Sequence, residues 1–250
     1  MKSIWGQEDG DAYLPRAKRE SNMTAALRYG TSIAGVPLSV YLPSTWGNRR
    51  RLIIAGIHGE EAETTNLLSY VFRSIRPEFL TCAVILCVNP DGMIRGTRGN
   101  TNGVDLNRNF PSSDWRVKIT TTRWENGLPS DTELHTGTHP ASEPEVQALI
   151  DLISEHGIEE IVSIHAPLGC VNYEQTEEWA ISDELSRRLA LPIVRDIGYP
   201  CPGVMDKWAD ENNIRFLTLE LEGNLSISEI RYKYGPVMQD VLLGEIFDAS

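Results

Sequence analysis

The sequence predicts a single α/β domain whose core is a mixed, mostly parallel, twisted β-sheet flanked by helices. Three observations carry that expectation. Short continuous apolar runs, Arg51-Leu-Ile-Ile-Ala-Gly-Ile57, Ala83 to Val88 and Ile161-Val-Ser-Ile164, have the length and make-up of strands buried on both faces. Stretches of helical period separate them, so strand alternates with helix. The 250 residues, 41% hydrophobic and 23% charged, suit one folded unit with its own core and contain no repeat, linker or low-complexity tract. Residues 1–250 are therefore expected to form one domain, with 1–30 as an N-terminal arm.

In chain order, Val36 to Leu42 alternates enough for a strand, and Pro37, lacking a ladder donor, pushes it toward a sheet edge. The run 51–57 is the first buried strand, and a helix follows over about Glu63 to Ser74. The second buried strand, Ala83 to Val88, ends in the turn Asn89-Pro-Asp-Gly92. Residues 92–140 are rich in Gly, Asn, Thr and Pro with little periodicity; a loop of that length is a mark of function or of disorder. Ser142 and Glu145 have capping-box spacing and open a helix through His156, with Gly157 as its stop. The third buried strand is Ile161 to Ile164. A helix is expected over about Thr176 to Leu189, another from near Asp206, a fourth core strand at Arg215 to Leu221, and a last helix from Ser226 toward Phe247.

Composition excludes several classes of function. With 23 basic and 35 acidic side chains the net charge is −12, and no basic stripe is present, so nucleic acid is not an expected partner. The longest apolar run, Cys82 to Val88, falls far short of the roughly 18 residues a spanning helix needs, so neither is a membrane. The polar, acidic start, Met1-Lys-Ser-Ile-Trp-Gly-Gln-Glu-Asp-Gly10, lacks the basic end and apolar stretch of an export signal, and a cytoplasmic location is expected. Cys82, Cys87, Cys170 and Cys201 are scattered without CxxC spacing, as befits free thiols in a reducing compartment. A monomer and a homodimer are both compatible with this composition.

Three polar clusters fall just beyond the ends of buried strands, where open α/β sheets bind ligands. In Gly56-Ile-His58-Gly-Glu-Glu61, a His and a Glu three residues apart at a strand-to-helix turn can face one ion. Zinc takes an imidazole nitrogen and a carboxylate oxygen at about 2.0–2.2 Å. The spacing alone is equally met by acidic residues that favour a helix N-terminus. Ser163-Ile-His165 closes the third strand. Beside the first cluster it completes two His and one Glu, the three-ligand set of a catalytic zinc site with one open position. Along Leu217-Thr-Leu-Glu220-Leu-Glu222 the polar residues share one face. A carboxylate in a buried strand is costly without a partner, and a zinc-bound water is such a partner; a solvated acidic face on an edge strand is the alternative.

Between these clusters lies a run of donors: Arg95, Arg98, Asn100, then Asp105-Leu-Asn107-Arg108-Asn109-Phe110. Arginine's fixed fork matches a carboxylate bidentately, so three arginines beside a candidate metal site point to an anionic substrate. Surface ion pairs and Asx turns in a Gly/Asn-rich loop account for the same residues otherwise. His135 and His139, separated by a non-helical Thr-Gly-Thr, read as surface-loop residues rather than ligands.

Taken in this order, His58-Gly-Glu-Glu61, Asn89-Pro-Asp-Gly92, Arg98 to Phe110, His165 and Thr218-Leu-Glu220 resemble the zinc carboxypeptidase family over nearly the whole chain. Leu86 to Gly92, Gly103 to Pro111, Ser142 to Glu145 and Gly198-Tyr-Pro-Cys-Pro-Gly203 resemble its murein-peptide branch, although Ala166 stands where that branch has Asp. The resemblance implies a zinc carboxypeptidase-like fold and one zinc ion per chain, held by His58, Glu61 and His165. It implies Glu220 as general acid/base and Arg98 as the donor that polarises the scissile carbonyl. It further implies Asn107 and Arg108 as the grip on the substrate's terminal carboxylate, and Tyr199 as a substrate contact from a loop.

The activity so implied is hydrolysis, by a zinc-activated water, of the γ-D-glutamyl–meso-diaminopimelate bond in a small peptide partner, murein tripeptide, during cytoplasmic cell-wall recycling. Asp206 and Arg95 are the candidates for the distal end of diaminopimelate. Three alternatives stay open. One is a zinc deacylase of N-acyl amino acids, of the aspartoacylase and succinylglutamate desuccinylase type, which shares the Gly-x-His-Gly-x-Glu turn and an Asp-Leu-Asn-Arg segment. The others are a carboxypeptidase of broad specificity and a non-catalytic peptide-binding relative.

Overall fold

The apolar runs become the centre of one sheet. The computed structural model describes residues 24–125, 128–198 and 200–247, with the backbone alone for 120–132. Its strands are β1 (Ala26–Thr31), β2 (Pro37–Tyr41), β3 (Arg51–Ala55), β4 (Ala83–Ile85), β5 (Ile119–Glu125), β6 (Leu128–His135), β7 (Glu160–His165), β8 (Leu168–Asn172), β9 (Ile193–Val194) and β10 (Arg215–Glu222). Its helices are α1 (Ala62–Phe72), α2 (Pro90–Arg95), α3 (Pro144–His156), α4 (Ala180–Leu189), α5 (Met205–Glu211) and α6 (Ile227–Leu243). Among the described residues eight strands run in the order β1-β2-β4-β3-β7-β10-β8-β9, and β5 and β6 form a separate antiparallel hairpin.

The sheet is mixed in a definite way. The central strands β4, β3, β7 and β10 are parallel neighbours, joined by helical crossovers. Antiparallel pairs β1/β2, β2/β4 and β10/β8 flank them, and β9 adds a parallel pair to β8 at the far edge. Because side chains alternate across a strand, each central strand feeds two cores. Ile53 and Ala55 of β3, Val162 and Ile164 of β7, and Leu217, Leu219 and Leu221 of β10 pack with α1, α4 and α6 on one face. Leu52, Ile54, Ile161 and Phe216 point the other way, against α3 and α5. That double burial is why these strands read as unbroken apolar runs.

Several boundaries differ from expectation, each for a local reason. Residues 26–31 are not arm but the edge strand β1, so β2 lies inside the sheet; Pro37 is tolerated there because it is the strand's first residue. Residues 1–23 of the expected arm lie outside the described residues. The turn after β4 is the first turn of α2, where Asn89 Oδ1 accepts from the Gly92 amide and Pro90, lacking an N–H, costs nothing. The long segment 92–140 contains the rest of α2, a 3-10 turn at Leu106–Arg108 and the hairpin. Helix α3 is capped at Glu143 rather than Ser142, whose hydroxyl donates to Glu143 Oε1 at 2.7 Å. Gly157 ends it in the left-handed conformation, φ 58°, as expected. Helix α4 starts at Ala180 rather than Thr176. Ser226 and Glu229 close a reciprocal capping box on α6. The four cysteines are free, and among the described residues no helix is long and apolar enough to cross a membrane.

Candidate metal centre and adjoining cleft

The site grows from the C-terminal ends of three adjacent parallel strands. Beyond β3 the chain turns through His58 and Glu61 into α1; His165 is the last residue of β7; Glu220 is in register with His165 on β10. His165 and Glu220 alternate with Ile164, Leu219 and Leu221 and therefore share the sheet face opposite those core residues. A close backbone approach fixes the turn. A Cβ on Gly59 would lie 2.0 Å from the Gly92 carbonyl carbon, so only glycine fits between His58 and α2. The buried Asn89 ties the two together, donating from Nδ2 to the carbonyls of Ile57 and Arg98 at 3.3 and 3.2 Å.

His58, Glu61 and His165 converge, all buried, with one ligand atom from each lying within 4.8 Å of the others. His58 Nδ1 is 2.6 Å from Glu61 Oε1, His165 Nδ1 is 3.3 Å from Glu61 Oε2, and the two Nδ1 atoms are 3.2 Å apart. Ligands placed about 2.0–2.2 Å from a tetrahedral ion sit roughly 3.3–3.6 Å from one another; the two spacings at His165 are close to that, whereas the His58–Glu61 contact is a hydrogen-bond distance that lengthens when an ion lies between its partners. Two imidazole lone pairs aimed at each other in a buried site also call for a cation or a proton between them. Burial works to raise Glu61, but the flanking His58 and His165 outweigh it and hold its carboxyl well below the usual range. His58 is raised: burial and Arg98 oppose its charge, and Glu61 and Asp105 overcome them.

Asp105 is the residue that sequence reasoning left without a role. Its Oδ2 accepts from Arg98 Nε at 2.9 Å, its Oδ1 accepts from the Asn107 amide at 2.9 Å, and the same Oδ1 lies 3.3 Å from His58 Nε2. Burial would raise its pKa, but Arg98, His58 and Arg108 drive it far down, so it stays an anion that orients both a metal-side histidine and an arginine. Arg98 Nη1 lies 3.5 Å from Glu60 and 3.6 Å from Glu61. Burial disfavours its charge, yet Asp105, Glu61 and Glu60 more than offset that. The backbone amide of Ala166 donates to Glu61 Oε2 at 3.2 Å, so a main-chain group supports the ligand beside the position where Asp was expected.

A cavity of about 260 Å³ opens on this centre, lined among others by His58, Arg98, Asn107, Arg108, His165 and Glu220. Asn107 Oδ1 accepts from the Met205 amide at 3.1 Å, which locks the start of α5 to the 106–108 turn and leaves Nδ2 to donate. Arg108 is 8% exposed, donates to the Asn107 carbonyl and Cys201 Sγ, and among the described residues has no carboxylate within ion-pairing distance. A buried guanidinium facing a cavity without a counter-ion is built for an incoming carboxylate. Glu220 is 9% exposed and accepts from the Leu168 amide at 3.3 Å. Burial raises its pKa, aided by Glu61 and opposed by His165 and His58, which suits a group that takes and returns protons.

Other expected residues fall elsewhere. Glu222 shares Glu220's face but is held by Lys233 Nζ at 2.5 Å and the Tyr234 hydroxyl at 3.0 Å. Arg95 is exposed at the end of α2, 3.4 Å from the Thr101 carbonyl, and does not line the cavity, whereas Asp206 does. His135 and His139 are exposed, His135 at the end of β6 rather than in a loop. Tyr199 lies outside the described residues.

The family profile described as zinc carboxypeptidase matches residues 12–235. The chain belongs to that family. Like the carboxypeptidases it joins, it has a centre whose donor set suits zinc, and the family implies that metal. It is 38% identical over 230 residues to murein peptide amidase A of Escherichia coli strain K12, covering 91% of this chain and 93% of that one. Against murein peptide amidase A of Vibrio campbellii it is 37% identical over 219 residues, 86% of each chain. The crystal structure of murein-tripeptide amidase MpaA from Escherichia coli O157 superposes with a TM-score of 0.82 at 37% identity, covering 92% of this chain and 96% of that one. This agreement bears out the expected carboxypeptidase-like fold.

Proposed function

We propose that this zinc carboxypeptidase is an amidase that hydrolyses the γ-D-glutamyl–meso-diaminopimelate bond of murein tripeptide in the cytoplasm, with residues 1–250 acting as one catalytic domain. The observation that carries the reading is that one small cavity joins the two histidines of a buried His-Glu-His trio, a buried carboxylate with a raised pKa and an arginine lacking a counter-ion among the described residues. The murein amidases at 37–38% identity support the substrate.

In this reading His58, Glu61 and His165 hold one zinc ion per chain. When bound, zinc supplies a Lewis acid for the scissile carbonyl and lowers the pKa of its water toward ~7. Glu220 accepts the proton of the attacking water and returns it to the leaving amine. Arg98 has Nε and Nη1 occupied by Asp105, Glu60 and Glu61, which leaves Nη2 to donate to the carbonyl oxygen as charge develops. Asn107 Nδ2 and Arg108 hold the carboxylate of the terminal residue and so fix which bond lies at the centre.

The test is a mass-spectrometric assay on L-Ala-γ-D-Glu-meso-diaminopimelate and its α-linked glutamate analogue, with zinc measured on the same protein. Release of diaminopimelate from the γ-linked peptide alone, with about one zinc per chain, is expected. Release from both peptides makes the protein a carboxypeptidase of broad specificity. Zinc without release from either discards the substrate in favour of N-acyl amino acids.

The carboxylate grip has its own check. Truncating one member of a buried charge pair costs about 2–5 kcal/mol. Arg108→Ala should therefore lower kcat/KM for the free tripeptide roughly 30-fold or more. The C-terminally amidated peptide, which has no carboxylate to lose, should change little. Equal losses on the two peptides would remove Arg108 from that role.

A further inference from the structure

We infer that Cys201 is a positioning residue of the carboxylate grip: its thiol aims Arg108 at the substrate's terminal carboxylate without neutralising it. This rests on the function proposed above. Arg98 and Arg108 line the same cavity and are held in opposite ways. Arg98 is tied to the carboxylates of Asp105, Glu60 and Glu61. Arg108 donates from Nη1 to the Asn107 carbonyl at 2.7 Å and from Nη2 to Cys201 Sγ at 3.1 Å, neither of them a carboxylate. Each terminal nitrogen keeps a second N–H for an incoming ligand.

The charge state of the sulfur decides what it can do there. Burial above all, joined by Asp105 and Glu174 and opposed by Arg108 and Arg98, raises the Cys201 thiol above its ordinary value. The thiol is therefore neutral at neutral pH, and it orients the guanidinium while leaving its charge uncompensated. A carboxylate in its place would satisfy Arg108 permanently and compete with every substrate.

The backbone around the sulfur is fixed against the grip. Cys201 is a free cysteine, half-buried in the cavity wall. The Phe110 amide donates to the Gly203 carbonyl at 3.0 Å. A Cβ on Gly203 would lie 2.2 Å from the Arg108 carbonyl oxygen, so only glycine lets the two segments touch. Two residues on, the Met205 amide donates to Asn107 Oδ1 at 3.1 Å. Residues 201–205 thus brace both members of the grip, Arg108 through a side chain and Asn107 through the main chain.

The test compares zinc-loaded wild type with Cys201→Ala, Cys201→Ser and Cys201→Asp on murein tripeptide and its C-terminally amidated form. It reads kcat, KM, binding by calorimetry and melting temperature. Cys201→Ala should raise KM for the free tripeptide about 3–10-fold, the scale of one net hydrogen bond, with little change in kcat. Cys201→Ser, which restores an uncharged acceptor, should recover most of that loss. Cys201→Asp gives Arg108 a resident counter-ion and should raise KM for the free tripeptide roughly 30-fold or more, the scale of a buried charge pair. The amidated peptide, which brings no carboxylate, should respond little to any of the three.

A wild-type KM in Cys201→Ala overturns the inference, as does a Cys201→Asp protein that binds the free tripeptide as tightly as Cys201→Ser. Equal weakening of both peptides with a lowered melting temperature leaves the thiol a structural role alone and overturns it too. Should wild type cleave neither peptide, the proposed reaction fails and calorimetry of the same two peptides decides Cys201. Loss of the preference for the free carboxylate in Cys201→Asp then upholds the assignment, and its persistence overturns it. Wild type that cleaves the tripeptide but binds the free and amidated forms alike leaves the reaction standing and removes the assignment.

Discussion

Glu220→Gln is expected to lower kcat by about 10²–10⁴-fold, the usual contribution of a positioned acid/base, while zinc content and KM stay near wild type. The substitution is nearly isosteric, and the amide oxygen of Gln can still accept from the Leu168 amide that now donates to Glu220 Oε2. What is lost is the ability to take a proton from water and hand it to the leaving amine. Near-normal turnover would overturn the assignment. Its neighbour Glu222 is a poor substitute, because the Lys233 hydrogen bond, joined by that of Tyr234, holds its carboxyl down. The variant is to be read by steady-state kinetics on the tripeptide beside a metal determination, so that loss of chemistry is separated from loss of the ion.

The candidate centre was legible because its parts lie where sequence patterns are strongest. His58 and Glu61 follow an unbroken apolar strand, His165 ends another, and Glu220 interrupts an alternation of leucines. Burial on both faces makes such strands conspicuous, and the parallel arrangement then brings their ends together. Less visible were elements that gain their structure from neighbours. Strand β1 is half exposed along Ala26–Thr31 and exists through its pairing with β2, so no apolar run announces it. Strand β8 owes its place to the antiparallel pairing with β10. Asp105 was hidden for a different reason: its importance lies in the histidine and the arginine that surround it, and no spacing rule encodes that.

Removing the metal is expected to abolish hydrolysis and to destabilise the fold, and the second effect can be read without substrate. The three ligand side chains are buried and already gathered, with the two Nδ1 atoms 3.2 Å apart and both facing Glu61. Without a cation that arrangement sets one lone pair against another unless one ring carries its proton on Nδ1. Binding to the folded chain alone adds RT ln(1 + [L]/Kd), about 4.1 kcal/mol when free zinc exceeds Kd a thousandfold. For a domain of this size that corresponds to roughly 8–16 °C in melting temperature, at about 2–4 °C per kcal/mol. Chelator-treated protein should melt lower by that order and recover both stability and turnover with one equivalent of zinc. His165→Ala, which deletes a ligand and leaves Glu220 in place, should neither retain zinc after dialysis nor gain stability from it. Full turnover in excess chelator would sink the metal chemistry. A zinc-insensitive melting curve in wild type, with zinc bound, would mean that the ion does not sit on this buried trio.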